Sequence, residues 1–133
     1  MTIRGIGALV LIVDDLEKCT AFYRDTIGLK PVFNDAVSIV FQMQGTDFLL
    51  LERSAAAAQI SPEAVGLQPG AQRMFLCAEA KEVDAEYQSL MAKGLTFIKP
   101  PQDQPWGRRT TYFADPEGNL WELYQILESQ PAT

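Results

Sequence analysis

The sequence predicts a single α+β domain built from two βαβββ repeats around a central cavity. The predicted elements run strand, helix, three strands, and the same order returns after a linker. Matching residues support the duplication, because Gly28-Leu29 ends the first helix as Gly94-Leu95 ends the second, and Gly45 precedes a final strand as Gly118 does. Each unit would leave one sheet face uncovered, so two units must pair and enclose a cavity.

Length and composition limit the class of protein. A chain of 133 residues is expected to form one domain, spanning residues 1–133, and 47% hydrophobic with 21% charged residues is typical of a soluble globular protein. No apolar run is long enough to cross a bilayer, and the N-terminus lacks the pattern of a secretory signal. A net charge of −6 repels polyanions. We therefore expect a cytoplasmic protein that binds neither membranes nor nucleic acid.

The first repeat is predicted at about residues 4–53. A nearly continuous apolar run at 6–13 predicts a strand buried on both faces. Asp14 or Asp15 then caps a helix that ends at Gly28. Three short strands are predicted at 30–34, 37–43 and 48–53.

A linker is predicted at about residues 54–72, where an alanine run is followed by a short helix at 61–64. Two interpretations are open. The segment is either a surface linker or a long connection that covers a site, as long loops in compact domains often do.

The second repeat is predicted at about residues 73–128. A strand at 73–80, a helix at 81–93 and strands at 95–99, 108–114 and 120–124 are expected, with Pro100-Pro101 breaking the first of these last three strands. Residues 130–133 are expected to be a frayed tail. Both cysteines, Cys19 and Cys77, are interpreted as core residues, with a redox role as the alternative.

Several segments, in their order along the chain, resemble the motifs of one family. They are Asp14-Asp15-Leu16-Glu17-Lys18, Ala21-Phe22-Tyr23-Arg24-Asp25, Gly28-Leu29, Pro105-Trp106-Gly107 and Asp115-Pro116-Glu117-Gly118-Asn119-Leu120-Trp121-Glu122-Leu123. The chain resembles the vicinal oxygen chelate superfamily, which includes glyoxalase I, bleomycin-resistance proteins, fosfomycin-resistance enzymes and extradiol dioxygenases. The resemblance implies cupped, mostly antiparallel sheets around the cavity, the glyoxalase/bleomycin resistance/dioxygenase fold.

In the family's enzymes, a divalent metal is held by residues on the first and last strands of each half. The resemblance places these positions at Ala8, Leu49, Phe75 and Glu122. Three of these residues cannot coordinate a cation, and the chain contains no histidine. We therefore expect no metal or other cofactor. If a divalent metal is present, Glu122 would be one ligand, and Glu52, Glu79 or a partner chain would complete the site, Glu52 only if an irregularity turns it inward.

Glu122 lies in the middle of an apolar strand, where an unpaired charge is costly. It is either a site residue, receiving a ligand or acting as a general base with a raised pKa, or a relic satisfied by Arg109, Tyr112 or a nearby hydroxyl. Trp106 is interpreted as a stacking residue or as a lid that packs on the sheet. Arg109 is the arginine expected to bind an anion or Glu122 itself.

The predicted ligand pocket has a mainly apolar wall, formed by Phe41, Leu49, Phe75, Thr111 and Tyr124. Trp106, Arg109 and Tyr112 are the other residues predicted to bind the ligand. These side chains could instead fill the cup and leave no pocket. The leading hypothesis is a metal-free protein that binds a small organic molecule between its sheets. The alternatives are a lyase, isomerase or dioxygenase that uses Glu122, and a non-catalytic dimeric interaction module with a filled cavity. A homodimer is expected, with the cup formed within one chain or across two.

Overall fold

We describe the fold from a computed structural model, which covers residues 3–114, 116 and 118–127. Within these residues, eight strands form one sheet in the order β2-β3-β4-β1-β5-β8-β7-β6. The strands are β1 Ile3–Val13, β2 Pro31–Asn34, β3 Ser38–Phe41, β4 Asp47–Glu52, β5 Met74–Ala80, β6 Lys99–Asp103, β7 Arg108–Ala114 and β8 Leu120–Ile126. The helices are α1 Leu16–Ala21, extended by a π-helical turn Phe22–Thr26, α2 Arg53–Gln59, α3 Pro62–Val65 and α4 Val83–Ala92.

The predicted fold class is confirmed, and the duplication is visible in the strand pairing. In each half the first and last strands pair in parallel, β1 with β4 and β5 with β8. The other neighbouring strands pair antiparallel, and the antiparallel pair β1 and β5 joins the halves. The cupped sheets predicted for the two halves therefore join into one curved, unclosed sheet.

The two faces of the sheet have different partners. One face, which we call the outer face, packs against α1 through Val13, Ile39, Phe41 and Leu50, and against α4 through a second cluster around Ala78, Val83 and Leu123. The other face, which we call the inner face, carries a third cluster. Its members include Val10, Ile12, Leu51, Phe75 and Cys77. The inner face is the one that holds the candidate site.

The linker is part of the core, so its interpretation as a surface linker is wrong. The alanine run forms α2, and Ala56, Ala57, Ile60 and Val65 are buried against the inner face. Alanine has the highest helix propensity, and its small side chain lets the helix approach the sheet closely. Helix α3 follows, with the Ser61 hydroxyl accepting from the backbone N–H of Ala64.

Two further predictions need correction. Strand β6 runs through Pro100 and Pro101 instead of ending before them, because it is an edge strand and an edge tolerates missing N–H donors. Strand β1 is not buried on both faces along its length, since Leu9 is 37% exposed. The outer-face cluster beneath α1 includes Leu11 and Val13 but not Leu9.

Some predictions fall outside the described residues. These include the structure of turn residues Asp115 and Glu117 and the frayed tail at 130–133. Among the helices that are described, none has the length and apolar character needed to cross a membrane.

Candidate functional site

A cavity of about 640 Å³ opens on the inner face and receives residues from both repeats. Apolar side chains, including Val10, Leu49 and Phe75, form much of its wall. Gln59, Arg108 and Glu122 add polar groups. This volume lies within the range of small-molecule sites.

A depression of similar size, about 740 Å³, lies next to α1 and shares Asp35 and Ser38 with the lining of the inner cavity. Its lining includes exposed charged side chains such as Asp15, Glu17, Lys18 and Arg24. It contains no buried titratable group, so the inner cavity is the better candidate site.

Glu122 is 6% exposed and its carboxylate is held by two neighbours. The Tyr112 hydroxyl donates to Glu122 Oε1 at 2.7 Å. Gln59 Nε2 donates to the same oxygen at 3.2 Å and to Tyr112 Oη at 2.8 Å. The carboxylate is therefore satisfied by the protein, as one of the two interpretations of Glu122 predicted, while it also lines the cavity.

The linker helix is fixed where it meets this network. Lys99 Nζ donates to the backbone oxygen of Gln59 at 3.1 Å. A cation at the C-terminal end of α2 also interacts favourably with the helix dipole. Residues of the linker and of β6 thus position the amide that holds Glu122.

Burial is the main cause of the pKa shifts of Glu122, Tyr112 and Cys77. It raises the pKa of Glu122, although hydrogen bonds from Tyr112, Cys77 and Gln59 oppose the shift. Burial and the nearby Glu122 charge raise the pKa of the Cys77 thiol well above its usual value, and the same causes raise the pKa of Tyr112. Cys77 is therefore a protonated core thiol and not an activated nucleophile.

Arg108, not Arg109, faces the cavity. The guanidinium of Arg108 lies over the Tyr124 ring, 5.7 Å from its centroid. Arg109 turns outward and binds Asp84 and Asp103, each at 2.9 Å. The expectation that Arg109 meets Glu122 is therefore wrong, because successive residues of β7 point to opposite faces.

Tyr124 reaches across the sheet to Gly7, where the register between β1 and β5 shifts. A Cβ at Gly7 would overlap the Tyr124 hydroxyl. Gly7 therefore makes room for the ring that supports Arg108.

Replacing Gly7 by alanine is expected to displace the Tyr124 ring and to lower the free energy of unfolding by about 1–3 kcal/mol. Urea denaturation measures this change. In a double-mutant cycle, the additional change Tyr124→Leu should remove most of the penalty, since it removes the hydroxyl and the ring end. An equal penalty in both backgrounds would contradict the proposed contact.

The other predicted site residues divide between the two faces. Leu49, Phe75, Trp106 and Tyr124 line the cavity, and Tyr112 packs beneath it against Phe75 and Glu122. Three do not reach it. Phe41 packs in the outer-face cluster, Thr111 Oγ1 donates to the Lys99 carbonyl at 2.5 Å, and Glu52 lines the depression beside α1.

The misplaced residues follow from strand alternation. Val40 takes the inner position on β3 that had been expected for Phe41. Thr111 and Tyr112 were both expected at the cavity, yet adjacent strand residues face opposite sides. Sequence reasoning also missed Gln59, for which the linker's composition contains no signal, and Arg108, which strand alternation with Tyr112 could have identified.

The residues present do not fit a family-type metal site. Of the four positions that the resemblance indicated, only Glu122 has a donor group, and its carboxylate is already hydrogen-bonded. Glu52 lies on the opposite face, since β4 pairs without a register shift. Within the described part of the chain, no three or more His, Cys, Asp or Glu side chains are grouped to hold a metal ion.

One protein-family model matches most of the chain. The model of the Glyoxalase/Bleomycin resistance protein/Dioxygenase superfamily matches residues 5–123. The chain belongs to this superfamily. The resemblance inferred from the motifs is therefore confirmed, and the retained carboxylate lies within the matched region.

Individual relatives of the chain carry different descriptions. The uncharacterized protein YraH of Bacillus subtilis is 33% identical over 121 residues, covering 88% of this chain and 94% of YraH. The metallothiol transferase FosB of Lysinibacillus sphaericus is 25% identical over 125 residues, covering 93% of this chain and 84% of FosB.

Among solved structures, a Streptomyces coelicolor methylmalonyl-CoA epimerase variant in complex with 2-nitronate-propionyl-CoA superposes with a TM-score of 0.70. It is 20% identical, and the match covers 94% of this chain and 99% of the epimerase. At this identity the likeness shows the shared fold alone.

Proposed function

We propose that this protein binds a small organic molecule in the inner-face cavity without a metal. The observation that carries the proposal is an open cavity of about 640 Å³ in which three of the four family ligand positions, Ala8, Leu49 and Phe75, present apolar side chains. Membership of the superfamily supports it, because the fold encloses such cavities.

The cavity has the mixture of surfaces expected of a binding site. Most of its wall is apolar, and a few polar groups converge in it. A dimeric interaction module without a ligand would have predicted a filled cavity, so the open space favours ligand binding.

Equilibrium dialysis of the purified protein against Mn²⁺, Ni²⁺ and Zn²⁺ tests the metal-free proposal. We expect no stoichiometric metal to be retained, and no change in melting temperature when EDTA is added. The variant Ala8→His/Phe75→His places histidines at two of the four positions that the resemblance indicated and is the positive control, expected to gain metal binding. Stoichiometric metal that supports ligand binding in the native protein would overturn the proposal.

A second candidate function is a lyase, isomerase or dioxygenase of the glyoxalase type that uses Glu122 as a base. The observation favouring it is a buried carboxylate with a raised pKa in the cavity lining. A carboxylate whose pKa is raised is a stronger proton acceptor than an exposed one.

The two candidates differ in their response to Glu122→Gln. For an enzyme, this change should lower kcat on any substrate that is found by about a hundredfold or more while the protein stays folded. For a binding protein, ligand affinity should change little. Unchanged turnover in the variant would exclude Glu122 as the base.

Oligomeric state and location belong to the same proposal. We expect a cytoplasmic homodimer, since closed two-fold pairing is the commonest form of assembly. Light scattering after size-exclusion chromatography measures the mass.

A further inference from the structure

Arg108 is the only basic side chain among the described residues that line the cavity. The ion pairs found in the described part of the chain involve Arg24, Arg53 and Arg109, so Arg108 has no carboxylate within ion-pair distance there. Its described protein hydrogen bond is a long one, 3.4 Å, from Nη1 to the backbone oxygen of Gly107. Among the residues that the structure describes, most donors of this guanidinium have no protein acceptor, and the guanidinium faces a largely apolar space.

The guanidinium is held in place by an aromatic ring. Tyr124 lies beneath it at 5.7 Å, and Gly7 leaves the space that the end of the Tyr124 ring occupies. A cation over the face of a ring is attracted to it, so the ring favours this position of the guanidinium. Less side-chain freedom then needs to be lost when an anion binds.

The acidic groups of the cavity are either engaged or distant along the sheet. Glu122 accepts hydrogen bonds from Tyr112 and Gln59, and the charge of Arg108 acts on it from beyond ion-pair distance. Asp35 Oδ1 accepts from the backbone N–H groups of residues 37 and 38. Asp47 is exposed at the start of β4, in the other half of the sheet from Arg108.

The rim beside Arg108 offers flat apolar surface. Trp106 is 51% exposed and lines the cavity together with Pro105. An exposed tryptophan at a cavity mouth can stack on a planar group of a ligand. The polar and apolar features around Arg108 are thus complementary to a molecule with an anionic end and a flat body.

We infer that the cavity binds an organic carboxylate, with the carboxylate paired to the Arg108 guanidinium and a flat apolar body lying against Trp106. This inference rests on the proposed function and names its ligand class. Arginine pairs with carboxylates through two parallel N–H···O bonds, and the largely apolar cavity strengthens such pairs relative to water.

Three probes of nearly equal shape test the charge requirement: phenylacetate, phenylacetamide and phenethylamine. Their affinities for the full chain are measured by ligand-observed NMR titration at neutral pH. We expect phenylacetate to bind at least about tenfold more tightly than the amide, as one charged hydrogen-bonded pair would provide, and the amine to bind most weakly.

Arg108→Gln and Arg109→Gln form a matched pair of variants. They make the same change at neighbouring residues, one inside the cavity and one on the outer face. Arg108→Gln should lower phenylacetate affinity by about tenfold or more and leave phenylacetamide affinity nearly unchanged, whereas Arg109→Gln should alter neither. Melting temperatures of both variants establish that they are folded.

The outcomes separate the two proposals. Equal affinity for the three probes, or an equal loss in both variants, would overturn the carboxylate inference and leave small-molecule binding intact. Stronger binding of the amine would also overturn it, because the acidic groups would then dominate. If none of the probes binds up to its solubility limit, this inference fails together with the proposal that the cavity accepts small aromatic molecules.

Discussion

Replacing Ile60 by alanine is expected to lower the free energy of unfolding by about 2–5 kcal/mol. Ile60 is 1% exposed and belongs to the inner-face cluster that also contains Val10 and Phe75. The change removes buried methyl and methylene groups and leaves a cavity that a packed sheet cannot fully close. Urea denaturation monitored by far-UV circular dichroism measures the loss.

Leu67 provides the matched control for Ile60. It belongs to the same linker but is 65% exposed, so Leu67→Ala is expected to change the free energy of unfolding by at most about 0.5 kcal/mol. Similar small effects of the two substitutions would contradict the packing of the linker on the inner face. They would also remove the support for Gln59 as a fixed partner of Glu122, because Ile60 follows Gln59 directly.

The fold could be predicted because the same sequence signals occur in both halves of the chain. Gly28 and Gly94 both end a helix with positive φ, and each half contributes the same pattern of strands. An error in one element does not alter the duplicated order. For example, β6 was predicted to end before Pro100 but runs through it. The linker was harder to place, since an alanine run predicts a helix but does not indicate what it packs against.

The candidate site could be predicted only in part. Glu122 was identified from one charge in an apolar strand, and the positions of Leu49 and Phe75 followed from the family resemblance. Orientation was the main source of error, because a shift of one residue moves a side chain to the other face. This explains why Arg109 was predicted at the cavity in place of Arg108, and why Phe41 was predicted there in place of Val40.

Gln59 illustrates a different limit. It lies 63 residues from Glu122 in the sequence, and its contact with the carboxylate depends on how α2 lies across the sheet. No local pattern encodes such a contact, since it results from packing among the linker, β6 and β8. The same packing places Lys99 at the end of α2.

Replacing Glu122 by glutamine is expected to change how stability depends on pH. Burial raises the pKa of Glu122 in the folded protein above the ordinary value of 4.5. The stabilisation linked to this proton is therefore fully present below about pH 4.5 and is lost as the pH rises through the folded pKa. Glutamine has no proton to lose, and its carbonyl can still accept hydrogen bonds from Tyr112 and Gln59.

The expected result is a difference that grows with pH. Between about pH 4 and about pH 8, the free energy of unfolding of Glu122→Gln should rise relative to that of the native protein, by about 1.4 kcal/mol for each unit by which burial raises the carboxyl pKa. Urea denaturation across this range measures the difference. Glu63→Gln makes the same change at an exposed position of α3 and should leave the pH profile unchanged.

A difference that falls with rising pH would show that Glu122 is stabilised as a carboxylate in the folded protein. The hydrogen bonds from Tyr112 and Gln59 would then outweigh the loss of solvation, and the carboxylate would be a structural anion. If the stability of Glu122→Gln relative to the native protein rises with pH, ionisation of Glu122 destabilises the folded protein. The raised pKa then makes the carboxylate form a stronger proton acceptor, and the protonated form can donate a hydrogen bond to a ligand.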